Sequence, residues 1–160
     1  MEIRKADGEE MLKLWGYGPG EPIAPTARFF CGNISSGNAI FWTVDDGGAL
    51  LGELYTFLDI GEDRDVADGK TTAYLCAFRV KEGFRGRGLG SRLMDAALAG
   101  LRDMGFLRAT IGVSDRRNEE LYRRMGFDRK IKDCYFDPCA VDEDMRPLPV
   151  EGYQLLARDL

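Results

Sequence analysis

The chain has 160 residues, 44% of them hydrophobic and 31% charged, a composition expected of one soluble folded domain with a sizeable core. Acidic residues outnumber basic ones by 27 to 22, and the resulting charge of −5 argues against nucleic acid as a partner, because phosphate contacts need clustered basic surface. Histidine is absent, which excludes Ser-His-Asp and Cys-His nucleophilic schemes and the HExxH zinc site, so proton transfer must use carboxylates, tyrosine, thiol, backbone or water.

Glu2-Ile3-Arg4-Lys5 reads as a short first strand, and its charges lack the apolar core of a signal peptide. Asp7, with Glu10 three residues on, has the spacing of a helix cap ahead of Met11, Leu12, Leu14 and Trp15. The turn-rich run Gly16 to Pro22 breaks that helix. A second helix is expected from Thr26 to Asn33, ended by Ser35-Ser36-Gly37-Asn38. Ala39 to Val44 and Ala49 to Leu58 form a hairpin about Asp45-Asp46-Gly47-Gly48. Alternation puts Leu50, Gly52 and Leu54 on one face and Leu51, Glu53 and Tyr55 on the other.

An acidic loop from Asp59 to Gly69 leads to a strand at Thr72 to Val80, apolar on both faces and therefore expected at the centre of a sheet. After a glycine-rich loop, Leu89, Leu93, Met94, Ala97, Leu98 and Leu101 have the spacing of a core-facing helix, which Gly105 stops. Leu107 to Val113 is the next strand, and strand–helix–strand of this length implies a parallel crossover. Asp115 to Met125 reads as a helix ended by Gly126. Arg129 to Phe136 and Gly152 to Leu156 are the last two strands, with Asp137 to Val150 as a long connection. No apolar run approaches the length of a membrane span, and a membrane partner is not expected. Cys31, Cys76, Cys134 and Cys139 show no paired spacing, so neither a metal site nor a disulfide framework is expected, and the cytoplasm is the simplest compartment.

The stretch that carries chemistry is Phe84-Arg85-Gly86-Arg87-Gly88-Leu89-Gly90-Ser91-Arg92, between a strand and a helix. Glycines let a main chain approach a ligand closely, and the first amides of a helix point outward without intrahelical partners. Such a loop is suited to phosphate. A dinucleotide fingerprint would need glycine where Ser91 stands, and no Gly-Lys-Ser/Thr follows as in a P-loop. Arg85, Gly88 and Gly90 do fit R-x-x-G-x-G, which resembles the coenzyme A pyrophosphate loop of the GNAT (GCN5-related) N-acetyltransferases. About thirty residues on, with a strand between, Leu121-Tyr122-Arg123-Arg124-Met125-Gly126-Phe127 resembles that family's L-Y-x-x-x-G-F signature.

The resemblance spans most of the chain and implies an α/β GNAT acyl-CoA N-acyltransferase fold, a central mixed, mostly antiparallel sheet flanked by helices. It implies acetyl-CoA as co-substrate, without a metal, and a small-molecule or peptide primary amine as acceptor, attacking directly in a ternary complex. Tyr122 would protonate the departing thiolate. Amides from Arg85 through Gly86, Arg87, Gly88, Leu89 and Gly90 to Ser91 would hold the pyrophosphate. The backbone at Phe78 and Val80 would pair with the pantetheine arm. Arg87 and Arg92 are candidates for phosphate contacts and fit a solvated face equally well.

Many relatives carry an asparagine seven residues before the tyrosine, where this chain has Asp115; Asn118, one turn before Tyr122, is the substitute contact. Many also place a glutamate on the strand before the loop, but Thr71 to Ala77 holds no carboxylate. Glu53 on the neighbouring strand is then the candidate base, with a solvated sheet-face position as the plainer account, and Tyr74 with water as another route. The acidic stretches Asp59 to Asp68 and Asp142 to Asp144 fit a cationic acceptor, and equally a solvated loop. A homodimer is an open option. The alternative activity is an acyl-CoA-binding sensor or interaction module without catalysis.

Overall fold

The computed structural model describes residues 1–160. In chain order the elements are β1 (Glu2–Ala6), α1 (Gly8–Leu14), α2 (Pro25–Ser36), β2 (Ala39–Asp46), β3 (Ala49–Phe57), β4 (Thr72–Val80), α3 (Leu89–Asp103), β5 (Arg108–Val113), α4 (Arg116–Arg124), β6 (Arg129–Val141) and β7 (Pro147–Asp159). The seven strands make one sheet in the order β1-β2-β3-β4-β5-β7-β6. All neighbours are antiparallel except β4 and β5, which run parallel across the α3 crossover. The mixed, mostly antiparallel sheet is the one expected, with the two-faced apolar strand β4 at its centre.

Local chemistry sets the helix ends. The Glu10 amide donates to Asp7 Oδ1 at 2.9 Å and Glu10 Oε2 accepts from the Asp7 amide at 3.4 Å, a reciprocal cap that starts α1. Pro25 occupies the first turn of α2, where its missing N–H costs nothing. Both faces of the sheet are covered. Along β4, Tyr74 joins one cluster with Met11 and Phe30 of α1 and α2, while Ala73 and Leu75 join another with Leu98 and Leu101 of α3. The six α3 residues picked out by helical spacing are all buried.

Two expectations are corrected. The connection expected from Asp137 to Val150 is largely strand: β6 and β7 form a long ribbon whose turn is tied by Asp142 Oδ1, which accepts from the amides of Asp144 and Arg146. Pro138, which cannot donate to a ladder, falls in the register irregularity between Asp137 and Val141. The regular alternation expected in β3 is broken near its start: Leu50 packs with the α1–α2 cluster and Leu51 with Leu89 and Leu93 of α3. A register shift lies opposite, between Thr43 and Asp45.

The acidic loop after β3 is not a free solvated segment. Asp59 accepts from the Gly61 amide, Asp68 from the amides of Lys70, Thr71 and Thr72, and Lys132 bridges Asp63 and Asp65 at 2.8 and 3.3 Å. Val66 and Ala67 are buried beneath it. No helix is long and apolar enough to cross a membrane.

Candidate functional site

β4 stays paired with β3 as far as Val80 opposite Gly52, but its pairing with β5 stops at Leu75 opposite Ile111. The last part of β4 therefore has an open edge. Glu53 faces Arg79 while Tyr55 faces Cys76, so two residues of β4, Ala77 and Phe78, stand opposite Leu54 alone. This is a β-bulge, and Ala77 takes φ +52° to make it. A side chain in that left-handed region costs about 1–2 kcal/mol, which packing must offset. The Lys81 amide donates to Leu51 O at 2.8 Å, so by strand alternation Val80 turns its N–H and C=O to the open edge. Arg85 Nε donates to Val80 O at 2.8 Å and folds the loop back onto that edge.

The loop ends at Gly88, the cap residue of α3, with φ +79° and no side-chain partner. The first intrahelical bond is from the Arg92 amide to Gly88 O at 3.1 Å, which leaves the amides of Leu89, Gly90 and Ser91 without helical acceptors. Gly90 sets the first turn of α3 directly on β4: an added Cβ would lie 3.2 Å from Phe78 Cζ and 3.7 Å from Val80 Cγ2. Arg85, Gly86, Arg87, Gly88, Ser91 and Arg92 are exposed around these amides, with Arg87 over the Phe84 ring. Leu89 turns its side chain inward, so only its amide is available.

Tyr122 comes from α4, whose start is capped by Asp115: Oδ1 accepts from the Asn118 amide at 2.8 Å. Its ring stacks on Phe78, with centroids 6.3 Å apart and planes 24° from parallel. Burial, and secondarily the Asp115 charge, push the Tyr122 hydroxyl above the ordinary tyrosine range, so it stays protonated at neutral pH. Asn118 is exposed and its side-chain amide donates to Asp115 Oδ2 at 2.9 Å. The two polar residues before the tyrosine thus hold each other at the helix start.

Glu53 is not a solvated sheet-face residue. It is 6% exposed, and its Oε1 accepts from Arg79 Nη2 at 2.8 Å and from Trp15 Nε1 at 3.2 Å. Behind it, the Tyr55 hydroxyl is buried with no partner in the chain. Burial, then the Glu53 charge, hold that hydroxyl well above its usual range. Tyr74 is 5% exposed, and burial followed by neighbouring Cys139 holds its hydroxyl well above the ordinary tyrosine range.

Glu53 lines a cavity of about 520 Å³ with Tyr17, Lys81 and Arg85. Phe78 and Tyr122 line a second cavity, of about 400 Å³ and mostly apolar, with Phe30 and Cys76. Trp15 and Arg79 line both. These two residues link the acid and base candidates, and sequence reasoning missed them. Trp15 reads as core, although an indole N–H that becomes buried needs an acceptor. Arg79 had a visible signal: it is the only charge in the apolar run from Thr72 to Val80. No group of three or more Cys, Asp or Glu side chains is arranged to hold a metal ion.

The sequence pattern of the acetyltransferase (GNAT) family matches residues 7–127. The fold is shared with polyamine N-acetyltransferase of Drosophila melanogaster, described as catalysing formation of N-acetylagmatine, at 17% identity and TM-score 0.65 over 99% of each chain. It is also shared with NAA60 of Arabidopsis thaliana in complex with acetyl-CoA, at 15% identity and TM-score 0.67 over 99% of this chain and 98% of that one. A GNAT family acetyltransferase from Elizabethkingia anophelis with acetyl-CoA bound aligns at 15% identity and TM-score 0.61 over 99% of this chain and 97% of the other. A search of curated proteins finds no match.

Proposed function

Because this chain belongs to the GNAT acetyltransferase family, we propose that it is an N-acetyltransferase moving the acetyl group of acetyl-CoA to a primary amine in the cytoplasm. The observation that carries this reading is the bulged open edge of β4, which meets the free amides of the glycine loop at Val80 and the Tyr122 ring at Phe78. An extended pantetheine arm fits that edge as an added strand, with the Val80 N–H as donor. Pyrophosphate fits the outward amides from Arg85 to Ser91, with Arg87 and Arg92 supplying positive charge.

The reaction needs no acyl-enzyme. The amine nitrogen attacks the thioester carbonyl, a C–N bond forms, the nitrogen releases one proton to solvent, the C–S bond breaks, and the electron pair leaves on sulfur. Tyr122, neutral at working pH, gives its proton to that sulfur and regains one from solvent. An alkylammonium with a pKa near about 10 must first lose a proton. Glu53 is assigned to draw that proton away, with the Tyr55 hydroxyl beside it. Donors at the bulge, aimed where the carbonyl oxygen gains charge, would stabilise the tetrahedral intermediate.

A second reading, an acyl-CoA-binding module without turnover, is supported by the engagement of Glu53 Oε1 with both Arg79 and Trp15. Both readings require the donor to bind. Titration calorimetry with acetyl-CoA should give one site per chain, and the absence of binding would contradict both.

A further inference from the structure

The ≈ 400 Å³ cavity lined by Phe78 and Tyr122 also has Asp137 in its lining. A larger groove of about 750 Å³ lies between the end of β5 and the β6–β7 ribbon, and Tyr74, Gly112 and Asp137 line both spaces. They form a shared wall. Gly112 is required there, since an added Cβ would lie 2.8 Å from the Tyr153 ring and 3.1 Å from the Tyr74 hydroxyl. Asp137 therefore lines the same cavity as Phe78 and Tyr122 and also borders the outer groove.

The charge lining these two spaces is one-sided. In the inner cavity the only cation is Arg79, and its guanidinium is paired with Glu53 at 2.8 Å. The outer groove has no lysine or arginine in its lining, but it has two carboxylates, Asp137 and Glu151. Neither takes part in an ion pair; the chain's ion pairs use other carboxylates. Asp137 Oδ1 accepts from the Cys139 amide at 2.9 Å, which fixes the carboxylate at the shared wall and leaves Oδ2 for a ligand. Tyr74 and Tyr153 line the groove beside it.

An apolar chamber next to the reacting centre, with Asp137 in its wall, suits a molecule that is apolar along its length and positive at its far end. Resting on the transferase reading above, we propose that Asp137 determines acceptor choice by holding the second ammonium of an alkyl diamine, whose first amine is acetylated beside Phe78 and Tyr122. A monoamine of the same length leaves Asp137 unpaired, and an amino acid of the same length brings a carboxylate against it. Charge-assisted hydrogen bonds of this kind correspond to about tenfold or more in affinity.

The test uses three probes of equal reach: 1,6-diaminohexane, n-hexylamine and 6-aminohexanoate. Their binding to the full chain in the presence of coenzyme A is measured by calorimetry, and kcat/KM by thiol release from acetyl-CoA. The wild type should prefer the diamine over hexylamine by about tenfold or more and discriminate further against the aminohexanoate. Asp137→Asn keeps an oxygen for the Cys139 amide, and should bring the diamine-to-hexylamine ratio to within about twofold of one. Glu151→Gln, farther out, should lower the ratio less.

Equal use of diamine and hexylamine by the wild type would overturn the proposal while leaving the transferase reading intact. A diamine preference that survives Asp137→Asn would overturn it as well. Diamine binding that depends on Asp137, with no thiol released from the diamine, would uphold the ammonium site but overturn the diamine as acetyl acceptor, and the transferase reading would then rest on other amines. A purely structural effect of Asp137→Asn would lower binding of all probes together and leave the ratio unchanged, which also overturns the proposal.

Discussion

The Tyr122 ring lies stacked against Phe78, joining helix α4 to the stretch of β4 that has parted from β5. Phe78 belongs to the bulge, and the same ring is the contact an added Cβ on Gly90 would strike at 3.2 Å. One phenylalanine thus touches the proposed proton donor on one side and the glycine loop's helix on the other. The positions of donor and loop are mechanically linked through it.

Tyr122→Phe keeps the stack and removes the hydroxyl. If proton donation limits turnover, kcat should fall by roughly 10²-fold or more while acetyl-CoA affinity, by calorimetry, changes less than about twofold. Burial raises the Tyr122 hydroxyl above its ordinary pKa of about 10, so the protonated form persists to higher pH. The kcat profile should accordingly show no alkaline decline assignable to this group up to about pH 10. A decline near pH 8 that Tyr122→Phe abolishes would contradict the assignment.

Glu53→Gln retains an oxygen for the Arg79 and Trp15 donors but removes the charge. Because Arg79 is 63% exposed, the ion pair is screened, and the folded state should lose less than about 1 kcal/mol in urea unfolding. Steady-state kcat should fall by roughly 10–100-fold if this carboxylate assists proton removal. Unchanged kcat would transfer that role to solvent alone.

Gly88 and Gly90 separate two kinds of constraint. Gly88→Ala places a side chain at φ +79° in open space, a backbone strain of about 1–2 kcal/mol. Gly90→Ala instead overpacks against Phe78, and such insertions cost about 1–3 kcal/mol. Both should lower urea stability and weaken acetyl-CoA binding, but only Gly90→Ala should also change kcat, because it moves Phe78 against Tyr122. Identical kinetic effects from the two variants would argue against that linkage.

Asp68 offers a test of the loop rather than of catalysis. Burial works against its charge, but the Thr71 hydroxyl and the amides of Thr72, Lys70 and Thr71 outweigh it and hold the carboxyl well below the usual range. A depressed folded-state pKa gives stability that is fully present above the unfolded value of about 3.9 and is lost as pH falls toward the folded one. Asp68→Asn should therefore be less stable than wild type at pH 7, by about 1–3 kcal/mol. The gap should narrow below about pH 4. Thermal melts of both proteins from pH 7 to pH 2.5 would follow it.

The legible parts of the fold were those whose signal is local and repetitive. The spacing of Leu89, Leu93, Met94 and Leu101 specified α3, and the two-faced apolarity of Leu75 to Phe78 specified the central strand. The glycine loop and Tyr122 were legible because their residues lie close together in sequence. The β6–β7 ribbon was hidden by Pro138, Pro147 and Pro149, which read as loop but are accommodated at register breaks and at the end of the sheet. The bulge at Ala77 carries no glycine to announce it. Without that bulge the partnership of Glu53 with Arg79 cannot be derived, and without the placement of α1 nothing predicts that Trp15 covers the pair. A lone glutamate in a strand reads as solvated until the residues that bury it are brought in from elsewhere in the chain.

The most direct test of the transferase reading is thiol release from acetyl-CoA by purified wild-type protein across a panel of primary amines. The panel should include alkyl monoamines, alkyl diamines and peptide amino termini, with the N-acetylated product identified by mass spectrometry. The reading predicts release above the hydrolysis blank for at least one amine, matched one to one by acetylated product and reduced by Tyr122→Phe. Acetyl-CoA that binds, yet releases no thiol above the blank with any amine, would contradict it and leave the protein an acyl-CoA-binding module.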